Sequence, residues 1–266
     1  HCRHCQNWGI SCQTPWESNL IIQEIPPESA VTSAEKYGCR GIAWTYNEPS
    51  IWLEYTLDSA KLARAQGLYT VYVTNGYATE EGLDAIGPYL DAYRVDVKGF
   101  SAHFYKELSR VTRWQGILDV AARARNKWHM HVEVVTNVIP TMNDSPEELK
   151  ALAEWICGQL GDMTPWHVTR FYPQYHMMAL PATPVATLEL AYDIGRKAGL
   201  KFVYLGNVPG HGNENTFCPN CGRLVIRRMG YDAEMVGLAG SRCRHCSAEL
   251  NIIVTDTRIR AGGVAQ

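Results

Sequence analysis

The sequence predicts an α/β protein, a partial (β/α)6-type TIM barrel lacking its first strand, with a zinc-ribbon-like appendage at the C-terminus. Three observations predict it. Short β-rich runs alternate with helical stretches over residues 41–205, Cys-x-x-Cys pairs stand near both ends, and polar residues gather where the strands should stop. Strands alternating with helices imply a parallel sheet.

In chain order, 28–37 reads as a helix, and a helix there needs a strand before it, upstream of residue 1. The strand–helix pairs that follow are 41–46 with 49–66, 68–74 with 79–90, and 93–97 with two helical stretches over 101–126. Next come 129–139 with 145–160, 166–171 with 184–198, and a last strand at 201–205. The start near 145 is marked by Asn143-Asp144-Ser145-Pro146-Glu147-Glu148. That segment supplies cap residues, a proline for the first turn and acids near the positive end of the helix dipole. Within 93–97, Tyr93, Val95 and Val97 share one face while Arg94, Asp96 and Lys98 share the other. A polar row in a strand expected to be buried should line a lumen.

The 266 residues, 46% hydrophobic and 20% charged, suffice for one large α/β domain and a small appendage. A net charge of −2 gives no electrostatic footprint for nucleic acid. No run approaches the apolar length of a membrane span, so the expectation is a cytoplasmic enzyme with neither nucleic acid nor membrane as partner.

Four of the nine cysteines form Cys218-Pro219-Asn220-Cys221 and Cys243-Arg244-His245-Cys246, two knuckles with 21 residues between them. This is close to the zinc-ribbon template, in which a hairpin brings four thiolates into a tetrahedron. Gly222, Gly230, Gly237 and Gly240 suit the turns. A second iron–sulfur cluster or two disulfides are the competing readings. The expected domains are a barrel over 1–212, a four-cysteine module over 213–252 and a flexible tail over 253–266. Cys12, Cys39 and Cys157 read as small buried apolar residues.

At the N-terminus, Cys2 and Cys5 place two soft thiolates on one turn, suited to an iron–sulfur cluster or zinc. Strand ends carry Asn47 and Glu48, Asn75, Asp96 and Lys98, Asn137, and His167 with Arg170. In barrels, that rim is where active sites are built. His129-x-His131-x-Glu133 is a rival constellation, two imidazoles and a carboxylate on one strand face, as in a metal-dependent barrel hydrolase. The aromatic run 166–175, with Met177 and Met178, reads as core or loop cover.

Several segments together resemble a known family. These are Cys2-Arg3-His4-Cys5-Gln6-Asn7-Trp8, Thr45-Tyr46-Asn47-Glu48-Pro49, Val73-Thr74-Asn75-Gly76-Tyr77, Val95-Asp96-Val97-Lys98-Gly99, Arg170-Phe171-Tyr172-Pro173 and Gly206-Asn207-Val208-Pro209-Gly210. They resemble the radical S-adenosylmethionine (SAM) enzymes of the AmmeMemoRadiSam system and, more distantly, pyruvate formate-lyase activating enzyme. The resemblance implies a radical SAM barrel with a [4Fe–4S] cluster on three cysteines, two of them Cys2 and Cys5. The third belongs four positions before Cys2, and without it the chain is expected to be inactive.

It further implies reductive cleavage of SAM to a 5′-deoxyadenosyl radical that abstracts hydrogen from a substrate, with an external electron donor. A protein substrate or partner proteins of that system are the implied partners. Glu48 would accept from the SAM amino group, Asn75 would reach its ribose or carboxylate, and Asp96 with Lys98 would hold the carboxylate or the substrate. Asn47, Asn137 and His167 complete the implied cofactor set. For four of these a structural role stays open: Glu48 as a helix cap, Asn75 as a turn residue, Asp96 and Lys98 as a lumen ion pair. A non-catalytic protein that recruits a partner through its zinc ribbon is the reading from another class.

Overall fold

A computed structural model describes residues 2–12 and 23–254, so most of the expected tail lies outside the described residues. The chain divides into two compact units, His1–Asn213 and Glu214–Gln266.

The larger unit is built on six parallel strands: β1 (Gly41–Trp44), β2 (Tyr69–Thr74), β3 (Ala92–Asp96), β4 (His131–Val138), β5 (Trp166–Arg170) and β6 (Val203–Gly206). They are ordered β1-β2-β3-β4-β5-β6. Because sequential parallel strands are joined by right-handed crossovers, a monotonic order puts the connecting helices on one face, which curls the sheet toward a barrel. The helices are α1 (Trp8–Ser11), α2 (Pro27–Lys36), α3 (Leu53–Ala65), α4 (Glu80–Ile86), α5 (Ala102–Phe104), α6 (Gln115–Asn126), α7 (Pro146–Trp155) and α8 (Val185–Lys197). α3 packs on β1 and β2, α6 on β3 and β4, and α8 on β5 and β6.

The core lies between sheet and helices. Tyr72, Tyr93, Val95, Val134, Trp166, Val168 and Leu205 meet Ala60, Ile117, Ala121, Leu188 and Ala191 there. Fully burying each large apolar side chain stabilises by about 1.5–3 kcal/mol. Alternate residues of the same strands, among them Arg94, Asp96, Glu133 and His167, face the lumen and stay half-exposed.

Two local features depart from the expected pattern. β4 starts at His131, because His129 sits in the left-handed region at φ 55 and is exposed. The proposed row of His129, His131 and Glu133 on one strand face is therefore corrected to His131 and Glu133. Near α7 the cap is Ser145, whose side chain accepts from the Glu148 N–H at 3.2 Å, with Pro146 in the first turn. Asn143 is buried and has another task. Its amide donates to the carbonyls of Lys98 (2.5 Å) and Asn137 (2.9 Å) and accepts from the Ile139 N–H (2.6 Å), tying β3 to β4.

The smaller unit has a three-stranded antiparallel sheet, β7 (Thr216–Phe217), β8 (Leu224–Met229) and β9 (Asp232–Met235), and a hairpin of β10 (Leu238–Ala239) with β11 (Arg242–Cys243). Its two knuckles repeat one turn. Gly222 N–H donates to Cys218 O and Ser247 N–H to Cys243 O, both at 2.9 Å, and Gly222 and Ser247 both have positive φ, 70 and 60.

Candidate active site and metal centre

Cys2 and Cys5 lie on one tight turn, closed by the Cys5 N–H donating to Cys2 O at 3.1 Å. The turn is pinned on both sides. Arg3 N–H donates to Leu108 O at 2.9 Å, and Arg3 O accepts from His176 N–H at 3.1 Å. Between the cysteines, His4 is 3% exposed, with neither ring nitrogen hydrogen-bonded. Burial, reinforced by the Lys98 charge and opposed by Asp96, pulls its imidazole down to about 3. The loop therefore sits against the C-terminal end of β3.

There Asp96 is bracketed by Arg94 Nη1 and Lys98 Nζ, each at 3.0 Å. Burial works against both charges, but Lys98 and Arg94 hold the Asp96 carboxyl below its ordinary range, and Asp96 with Cys2 holds the Lys98 ammonium above its own.

At the first two strand ends the Glu48 carboxylate joins the connections. Oε1 accepts from the Thr74 hydroxyl (2.6 Å) and from the Ser50 hydroxyl and N–H (3.0 and 3.3 Å), and Oε2 accepts from the Asn75 N–H (2.7 Å). Glu48 is thus the cap of the 3-10 turn Pro49–Trp52 and a brace onto β2. Asn75 forms a side-chain turn, Oδ1 accepting from Tyr77 N–H at 2.8 Å. Gly76 follows at φ 73, and a Cβ there would come within 2.7 Å of Ile117. Glycine is required on both counts. Asn47 is exposed beside Tyr46, which has φ 68. On β4, Asn137 Oδ1 is buried with no hydrogen-bond partner.

His167 is engaged by neighbouring strands. Its Nε2 lies 2.8 Å from Glu133 Oε2, and its ring stacks on Tyr204 with centroids 5.1 Å apart. His131 Nε2 lies 3.0 Å from the other oxygen, Oε1. Burial penalises the Glu133 charge, yet the hydrogen bonds from both imidazoles outweigh it and hold the carboxyl below its ordinary range. Arg170 turns away, its Nε donating to Thr183 O at 2.8 Å.

The roles of His4, His176 and Asn143 were missed by the sequence reading, and Arg94 and Glu133 were noted only as members of a row. The polar face of β3 already signalled Arg94. Nothing in the sequence signalled that His176 meets Arg3.

Comparison with known proteins gives the family. The Radical SAM superfamily matches residues 1–156. The chain belongs to that superfamily. An uncharacterised protein of Methanocaldococcus jannaschii is 39% identical over 255 residues, covering 95% of this chain and 74% of that protein. The isethionate sulfite-lyase activating enzyme of Nitratidesulfovibrio vulgaris is 27% identical over 130 residues, 48% of this chain and 42% of that enzyme. Among solved structures, a domain of a pyruvate-formate lyase-activating enzyme from Bacteroides vulgatus aligns with a TM-score of 0.55 at 15% identity, over 63% of this chain and 99% of that one. That likeness shows the fold.

Membership makes the chain a radical SAM enzyme and implies SAM and an iron–sulfur cluster as cofactors. The residues present fit as part of such a site: two half-buried thiols, of the three thiolates the resemblance implies, share one turn near the Lys98 ammonium.

In the smaller unit, Cys218, Cys221, Cys243 and Cys246 bring their sulfurs within 4.8 Å of one another, with Cys218–Cys246 at 3.6 Å and Cys221–Cys243 at 3.7 Å. A tetrahedron of Zn–S bonds of about 2.3 Å needs sulfurs roughly 3.8 Å apart. The cluster is compatible with a zinc ribbon. Among the described residues it is the group whose donor atoms converge in this way.

Proposed function

We propose that the chain carries the catalytic barrel of a radical SAM enzyme of the AmmeMemoRadiSam type, acting on a protein substrate in the manner of glycyl-radical activating enzymes. The observation that carries this reading is the seating of the Cys2–Cys5 turn against the Asp96–Lys98 strand end. When bound, the cluster and SAM supply reductive C–S cleavage and hydrogen abstraction, with electrons from an external donor. This chain's side chains supply position and charge.

Cys2 and Cys5 would hold two irons. Glu48 Oε2 accepts one protein hydrogen bond and keeps a lone pair for the SAM amino group. Lys98, neutralised on one side by Asp96, offers its remaining donors to a carboxylate. Asn47, Asn75 and Asn137 complete the cofactor wall, and His167 marks its boundary with the substrate. The four-cysteine site would hold a structural zinc, closed by four thiolates and therefore without a position for chemistry. The activating enzyme of Nitratidesulfovibrio vulgaris, whose name gives a lyase as its target, supports the protein-substrate reading.

The test uses the full-length protein, anaerobically reconstituted. Glu48→Gln and Lys98→Ala should each weaken SAM binding by roughly tenfold or more, the effect of one charge-assisted hydrogen bond, and slow 5′-deoxyadenosine formation while the cluster absorbance persists. His129→Ala, at an exposed position off the strand, should leave both unchanged. If His129→Ala stops the reaction while the other two are silent, the cofactor has been assigned to the wrong residues.

A further inference from the structure

The lumen holds a second polar group, at Arg94, His131, Glu133 and His167, of which the cofactor reading uses only His167, at its edge. Arg94 and Glu133 are register partners on β3 and β4, and Val135, next on the Glu133 face, is the partner of His167 on β5. All four side chains are therefore neighbours on the lumen face. They are also open to solvent, with side-chain exposures of 33% for Arg94, 21% for His131, 34% for Glu133 and 31% for His167.

What such a group can bind follows from counting its donors and acceptors. Glu133 is ionised, so it can only accept, and each of its oxygens already faces one imidazole Nε2. Both Nε2 atoms must then carry the protons. Asp96 is occupied in the same way by Arg94 Nη1 and Lys98. Each oxygen of both acidic side chains thus already faces a donor of the protein, which balances part of the negative charge either carboxylate would offer a cation. The imidazoles are held on opposite oxygens of one carboxylate, and they do not appear among the described groups that gather three donors within 4.8 Å for a metal.

The groups left uncommitted are the rest of the Arg94 guanidinium, which no other described residue engages, and Nδ1 of each imidazole, which donates when protonated. A permanent cation with a planar fork, on the same lumen face as two imidazoles of the next two strands, matches a two-oxygen planar anion.

We propose that Arg94, His131 and His167 form a subsite for a carboxylate of the substrate, with Glu133 as the positioning residue that fixes both rings. This rests on the reading of the lumen as the reaction chamber, and it adds the substrate class: an acidic side chain, a peptide C-terminus or a small organic acid.

The experiment is a titration of the full-length protein, its histidines labelled with 15N, without SAM. Acetate, phosphate and chloride are added separately at matched ionic strength and fixed pH. Acetate should move the His131 and His167 resonances along a saturable curve, Arg94→Met should weaken that binding roughly tenfold, and Arg94→Lys should restore part of it. Equal responses to all three anions, a response that never saturates, or a response to phosphate alone would each overturn the proposal. If Arg94→Met does not fold, the wild-type titration still decides. Because the readout uses neither cluster nor SAM, its failure is separate from failure of the cofactor assignment. A positive result is followed by acetyl-glycine against a peptide amide whose one carboxylate is a glutamate side chain, which separates a chain terminus from an internal acid.

Discussion

The cysteine knuckles of the smaller unit and the polar wall of the lumen are two polar sites held together in opposite ways. In the knuckles, four sulfurs lie within 4.8 Å of one another, and thiolates so placed repel unless a cation sits among them. In the wall the cations are the protein's own: Arg94 and Lys98 bracket Asp96, and His131 and His167 bracket Glu133. A site completed by an outside ion should fail all at once. One completed internally should lose stability in steps.

The largest expected effect tests the first half of that contrast. Cys218→Ser should abolish binding of about one zinc per chain and unfold the smaller unit, since a metal site of this kind can supply on the order of 10 kcal/mol of folding free energy. Metal analysis with hydrogen exchange over 216–243 reads the outcome. Cys5→Ser should leave the zinc in place, and its loss along with the iron would show that the two sites are not separate.

On the other side, Asn143→Leu should cost about 2–4 kcal/mol, because it strands the Ile139 N–H and the Lys98 and Asn137 carbonyls in a buried position. Urea denaturation measures it, and a cost near zero would mean that β3 and β4 do not depend on this brace.

Glu133→Gln should cost less, about 1–2 kcal/mol at neutral pH once its partial exposure to solvent is allowed for. Its pH dependence carries a sign. The folded carboxyl is held below its ordinary value of 4.5, so its contribution is complete above that value and drains away as pH falls further. The gap between wild type and Glu133→Gln should therefore narrow in acid, and a gap that widens there would refute the bracketing of Glu133. The smallest effect is a purely local one: Ser145→Ala should cost about 1 kcal/mol, the usual value of a cap, without disturbing either polar site.

Much of the fold was legible because its signals are local. Alternation of β-rich and helical runs located all six strands of the sheet, and the two-residue period on β3 separated Tyr93, Val95 and Val97 from Arg94, Asp96 and Lys98. The four-cysteine cluster was legible for the same reason, since knuckle spacing within one small unit leaves the chain few ways to arrange its sulfurs.

Local spacing was enough to tell which residues are polar, which strand faces most of them share and which cysteines gather. Their partners came from the assembled sheet. Glu133 meets His167, 34 positions away, through the register of β4 on β5. Glu48 reaches Asn75, 27 positions away, across a crossover. His129 drops out of its row because one residue at positive φ takes it off the strand before the two-residue period begins. The physical reason is common to the first two. Periodicity fixes the side of a strand on which a side chain stands, whereas its contacts depend on the neighbouring strand's register, which is set by packing of the whole sheet against its helices.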